Sequence, residues 1–173
     1  DGSIHFGCAN HFYKDEKTKK FWVRFKKKQK EGYILSHLLL NYNIPLCTLF
    51  IRRNAISSLE FVFDDNYTYF GDFDLTVRLA ANFKMARIHE AISVYRLHES
   101  NLSIQNYSTQ IKELIHWQQK IQKIEKIKNN ENFYIINNII SYKKIILALR
   151  EKKFINSISL LYKLPWTIRK LRF

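Results

Sequence analysis

The sequence predicts an α/β fold: a mixed sheet followed by a C-terminal helical module. Up to Ser103, short apolar and aromatic runs alternate with helical periodicity between charged turns, as strands and helices in alternation require. Beyond it, isoleucines and leucines recur every three or four residues amid Lys, Gln and Asn, the pattern of helices alone. The expected domains are therefore residues 1–103, carrying the sheet, and residues 104–173, the helical module.

Residues 3–13 set Ile4, Phe6, Cys8, Phe12 and Tyr13 among small polar residues and read as a strand. Residues 14–20 read as a charged turn, 21–25 as a second strand, and 26–30 as a solvated basic loop. Ile34, Leu35, Leu38 and Leu39 have helical spacing, and Pro45 prevents that helix from continuing. The apolar run 45–51 has strand length and is expected to be a buried strand. Asp72 or Asp74 stands at the amino end of the next helix, where acids offset the helix dipole. Residues 84–88 and 92–97 read as two short strands. Helices are expected over residues 111–127, 133–150 and 154–164, with Asn129-Asn130 and Pro165 as breakers, before a cationic amphipathic tail from Trp166 onward.

A chain of 173 residues with 46% hydrophobic content is long enough for one domain or a domain with a helical appendix, and disorder throughout is not expected. Twenty-nine Lys and Arg against fifteen Asp and Glu give a formal charge of +14. That field attracts polyanions without choosing among nucleic acid, anionic lipid and nucleotide phosphate. Cys8 and Cys47 match no metal or redox spacing, so two buried thiols in a reducing compartment are expected, and zinc is not. No apolar run approaches the ~20 residues of a membrane span, and no signal peptide is visible, so a soluble or peripheral protein is expected. The chain begins at Asp1 and its only methionine is Met85, so an upstream segment is expected in the primary product.

Against this basic background two carboxylates stand close together in an aromatic setting, in Gly71-Asp72-Phe73-Asp74-Leu75. A carboxylate beside a sugar hydroxyl can take its proton as the oxygen attacks, a contribution typically of ~10²–10⁴-fold. Both acids can equally be helix-starting residues. Arg78 can meet a phosphate or pair internally with Asp74, four residues earlier; Arg96 is equally ambiguous. His98, after a Tyr-Arg strand end, is a candidate metal ligand or a hydrogen-bonded surface histidine.

The succession Pro45-Leu46-Cys47-Thr48-Leu49-Phe50-Ile51-Arg52-Arg53, then Phe63-Asp64, then Gly71-Asp72-Phe73-Asp74-Leu75-Thr76-Val77-Arg78-Leu79-Ala80, then Ile88-His89-Glu90-Ala91-Ile92-Ser93-Val94-Tyr95-Arg96-Leu97-His98-Glu99-Ser100-Asn101-Leu102-Ser103 resembles the acceptor-side half of a family 2, GT-A type glycosyltransferase. The resemblance implies a partial GT-A (Rossmann-like) sheet. It also implies inverting transfer of a sugar from a nucleotide-sugar donor to a glycan or lipid-linked acceptor, as in bacterial surface polysaccharide biosynthesis. It makes Asp72 the catalytic base, puts Asp74, Arg78 and Arg96 at the substrate, and offers His98 as a ligand of the family's divalent metal, Mg²⁺ or Mn²⁺. Gly71 departs from the Glu that many members carry there. In the family, an amino-terminal half binds the nucleotide and holds the metal through an Asp-x-Asp motif. No such motif precedes the acidic cluster here, and residues 4–20 resemble the strand and turn that follow it. The chain is therefore expected to lack the donor-binding half and its main metal carboxylates. Since the charge of a leaving diphosphate must be stabilised, it is expected to be inactive alone.

Two other classes compete. Lys and Arg interleaved with Phe and Trp over residues 19–30 fit a polyanion-binding module, although no nucleic-acid motif is present and nucleic acid is not the expected partner. A non-catalytic remnant or scaffold would expose apolar surface where further strands would pair. Membrane association is compatible with the enzyme reading. The cationic tail, with Trp117, Trp166 and Phe173, could rest on anionic lipid at the cytoplasmic face, unless Trp117 and Trp166 pack helices together.

Overall fold

The computed structural model describes residues 2–102, 105–154, 158, 159 and 161. Two compact units divide the chain, residues 1–105 and 106–173. The first is mixed α/β, with a four-stranded sheet among the described residues.

β1 (Ile4–Asp15) is the spine of that sheet. β4 (Lys84–Leu97) runs parallel to it along its whole length. The remaining edge of β1 is shared: β3 (Leu49–Ile51) pairs antiparallel with residues 6–8, and β2 (Phe21–Val23) pairs antiparallel with residues 12–14. Gly7 lies where no side chain fits. A Cβ there would come within 2.5 Å of the Ala86 carbonyl oxygen and would also strike the Phe50 ring. Phe6 and Cys8 reach the core, where α1 (Leu35–Leu40) supplies Leu38 and α3 (Gly71–Asn82) supplies Leu75 and Leu79. Period-two alternation sends the other side of the sheet outward, leaving Phe21 and Val94 exposed.

Two stretches of this unit differ from expectation. The run 45–51 splits into a 3₁₀ turn, Leu46–Thr48, and the three-residue β3, whose residues are half-buried or exposed. Thr48 forces the split by turning its hydroxyl inward to donate to the Ala9 carbonyl at 2.7 Å. The same turn leaves Cys47 exposed, so of the two thiols expected to be buried only Cys8 is. The two short strands expected over 84–97 are one strand with a bulge, since Ala9 pairs with Ile88 and Asn10 with Ala91. Asn10 secures that bulge. Its Nδ2 donates to the carbonyls of His89 and Phe25, and its Oδ1 accepts from the amides of His11 and Phe25. α2 (Arg53–Ser57) completes the elements of this unit.

The second unit is helical: α4 (Tyr107–Ile121), α5 (Glu125–Lys128) and α6 (Ile135–Arg150). The helix expected over 111–127 stops at Ile121 because Ile124 adopts an extended backbone, after which α5 delivers Ile127 to the interior with no exposed surface. Trp117 is fully buried with Phe133 beside it, the packing role rather than a lipid-facing one. Tyr107 is flanked by the cations of Lys143 and Arg150. No described helix is long and apolar enough to cross a membrane. The expected helix over 154–164 falls largely, and the tail from Trp166 entirely, outside the described residues.

Candidate active site cleft

A cleft of about 780 Å³ opens in the first unit between the carboxyl-terminal half of β1 and the amino end of α3. Its size suits a few sugar rings or one cofactor-sized ligand. The sheet side follows from strand register. Phe12 pairs with Val23 and Tyr13 with Trp22, so His11 faces Arg24, whose amide donates to the His11 carbonyl at 2.9 Å. Tyr13 in turn pairs with Tyr95. His11, Tyr13, Arg24 and Tyr95 thus line one wall, their rings in tilted or edge contact. The lining also includes Phe63, Asp64, Asp65, Tyr67 and Tyr69 from the loop before α3, together with Tyr42 and Asp72.

Asp72 occupies the first turn of α3. Its Oδ1 accepts the Phe73 amide at 2.8 Å, and its carbonyl accepts the Thr76 hydroxyl at 2.7 Å. Burial pushes its carboxyl above the ordinary aspartate range, outweighing the stabilisation of the carboxylate by the Phe73 amide and by Tyr42. The Tyr42 hydroxyl is itself buried. It lies near enough to Asp72 for each to shift the other's titration, without a hydrogen bond of good geometry between them. Burial and the Asp72 charge both push the Tyr42 phenol well up, so it stays protonated.

His11 is the least expected member. It is 1% exposed, and neither ring nitrogen has a hydrogen-bond partner among the described residues. Burial, reinforced by the Arg24 cation, lowers its pKa from 6.5 to about 4, so the ring is neutral at pH 7.

Of the candidate site residues Asp72, Asp74, Arg78, Arg96 and His98, Asp72 alone lines this cleft. Asp74 and Arg78, expected at the substrate, form a buried pair at 2.7 Å, with side chains 3% and 7% exposed. Arg78 also donates to the carbonyls of Phe61 and Val62, and its guanidinium covers the Phe61 ring. Of the two readings of Arg78, this is the internal pair with Asp74: four-residue spacing on a helix brings the charges together, and Arg78 ties α3 to the segment before it through the Phe61 and Val62 carbonyls. Arg96 is likewise outside the cleft, paired with Glu16 at 2.7 Å on the surface. His98 belongs to the turn closing β4, its amide donating to Asn101 Oδ1 and its Nδ1 lying 2.7 Å from Ser100 Oγ. Among the described residues no three His, Cys, Asp or Glu side chains converge as a metal site.

His11, Arg24 and Tyr42 were not singled out as site residues from the sequence. The signal available was the period-two placement of His11 and Tyr13 on one face of a strand, beside an arginine at the end of a neighbouring strand. Comparison with protein-family models, curated proteins and solved structures gives no match.

Proposed function

We propose that the chain is the acceptor-side portion of an inverting glycosyltransferase that moves a sugar from a nucleotide-sugar donor to a glycan or lipid-linked acceptor. The observation that carries this reading is the Asp72 carboxylate at the head of α3 in an aromatic cleft, with its proton affinity raised by burial. A base for a sugar hydroxyl works best when its affinity for protons exceeds that of an ordinary aspartate. Tyr42 beside it remains a neutral donor.

In the transfer, the acceptor oxygen attacks the anomeric carbon and gives its proton to Asp72, while the bond to the nucleoside diphosphate breaks on the opposite face. Tyr13 and Tyr95 in the cleft lining supply aromatic surface of the kind that packs against the CH faces of a sugar. The family resemblance implies Mg²⁺ or Mn²⁺ for the leaving diphosphate. No step here is routed through that ion; His98 is the residue of this chain that the resemblance offers as one of its ligands, beside the Asp-x-Asp motif of the donor-binding half. The cationic surface is compatible with work against an anionic membrane at its cytoplasmic side.

The test is sugar transfer by the chain supplied with a nucleotide-sugar-binding half, in cis or as a separate polypeptide. Asp72→Asn is expected to lose most of the turnover and still bind nucleotide. Unchanged turnover by that variant removes Asp72 from the role of base.

A further inference from the structure

We infer that Arg24 and His11 form an anion-recognising subsite on the sheet wall of the cleft, so that the saccharide presented to Asp72 carries a carboxylate, as a hexuronate does. The inference rests on the reading that the cleft holds a saccharide. It goes beyond that reading in naming the acceptor's charge.

Arg24 is held in place by backbone pairing with His11 and by its guanidinium lying 4.7 Å from the centroid of the Phe25 ring. Among the described residues it makes no ion pair, whereas Arg78 and Arg96 each have a carboxylate at 2.7 Å. Arg87, the other buried arginine, is committed to the Lys30 and Asn43 carbonyls and the Asn43 side chain. Arg24 is thus a half-buried guanidinium facing a cleft with its fork of donors unmatched, and that fork fits a carboxylate with two parallel bonds.

His11 beside it supplies the second, independent sign of a ligand. A ring so enclosed with both nitrogens unmatched is costly unless something in the cleft completes it. Being neutral, it offers one donor and one acceptor, the pairing a sugar hydroxyl next to a carboxylate would satisfy.

The charge balance selects a singly charged ligand over a diphosphate. The cleft wall holds three acids, Asp64, Asp65 and Asp72, against the one cation Arg24. A single carboxylate can be matched by the Arg24 guanidinium, whereas a diphosphate with two or three charges would be repelled more strongly by the acids and could be matched by only that one cation.

The experiment titrates the full 173-residue chain with two probes, followed by amide chemical shifts. One is a tetrasaccharide of alternating hexose and hexuronate; the other is the same saccharide with its carboxylates reduced to primary alcohols. The acidic form is expected to bind at least tenfold more tightly, with shifts at Arg24, His11 and Tyr95. Arg24→Gln is expected to abolish the preference without changing affinity for the neutral form, and Arg24→Lys to keep part of it. A near-wild-type spectrum away from the cleft establishes that each variant is folded. Equal binding of the two saccharides overturns the carboxylate subsite and leaves the transferase reading standing. Failure of both to bind overturns the saccharide reading and the subsite with it. Arg24-dependent binding of pyrophosphate tighter than that of the acidic saccharide reassigns the cation to the donor and also overturns the proposal.

Discussion

Acidification should destabilise the first unit through His11, and the size of the effect follows from its enclosure. In the unfolded chain the imidazole titrates near 6.5; in the folded protein it stays neutral down to about 4. Between those values the unfolded state binds a proton that the native state refuses. Stability therefore falls as pH drops from about 6.5 to about 4 and levels off below. At about 1.4 kcal/mol per unit, that window is worth about 3 kcal/mol. The comparison is urea denaturation at pH 7.5, 6.5, 5.5 and 4.5 for the wild type and His11→Phe. Phenylalanine keeps an aromatic ring against Tyr13 and removes the titration. The other five histidines are common to both proteins, so the difference in slope isolates His11. Proton NMR of the imidazoles reads the same quantity directly, with one His C–H signal silent until pH falls below about 5. Identical pH slopes, or a His11 signal that titrates near 6.5, would refute the argument that this ring is enclosed without a partner.

Asp74→Ala strands the Arg78 cation in the interior and should cost about 3–5 kcal/mol, read as a lower urea midpoint of the first unit. Gly7→Ala must push β4 or Phe50 aside and should cost about 2–3 kcal/mol by the same measurement; a near-neutral effect would contradict the close approach at the Ala86 carbonyl. For Asp72 the shift runs the other way from a paired carboxylate. Its folded pKa is raised, so the native state favours the protonated form, and the stability this gives is lost as pH rises through the folded value. Asp72→Asn should consequently melt at a higher temperature than wild type at pH 7.5, the gain vanishing below pH about 4, in calorimetric scans across that range. The purified chain alone is expected to turn over no nucleotide sugar, and sustained release of nucleotide in a coupled assay would show that the donor site is complete without further sequence.

Alternation along β1 and the helical period after Asp72 were legible because they are local: each depends on which way successive side chains point. The acid at the head of α3 could be placed from the sequence for the same reason. The ion pair of Asp74 with Arg78 was visible as one of two readings, and only packing chose between them, by enclosing both charges against the carbonyls of Phe61 and Val62. The local partners of His98 and Arg96 could not be read from the sequence: the turn after β4 sets His98 beside Ser100, and Glu16, far along the chain, pairs with Arg96.

By itself the sequence determined the α/β order, the helical second unit, and the carboxylate Asp72 at a helix start. The tertiary structure alone decided what surrounds that carboxylate. His11, Arg24, Tyr42 and Tyr95 come from separate segments, brought to one cleft by strand register, by the bulge that Asn10 secures and by the packing of the loop after α1. Register is a pairing between segments far apart in the chain, and a shift of one residue would turn His11 and Tyr13 to the opposite face, so no local pattern could have fixed the site.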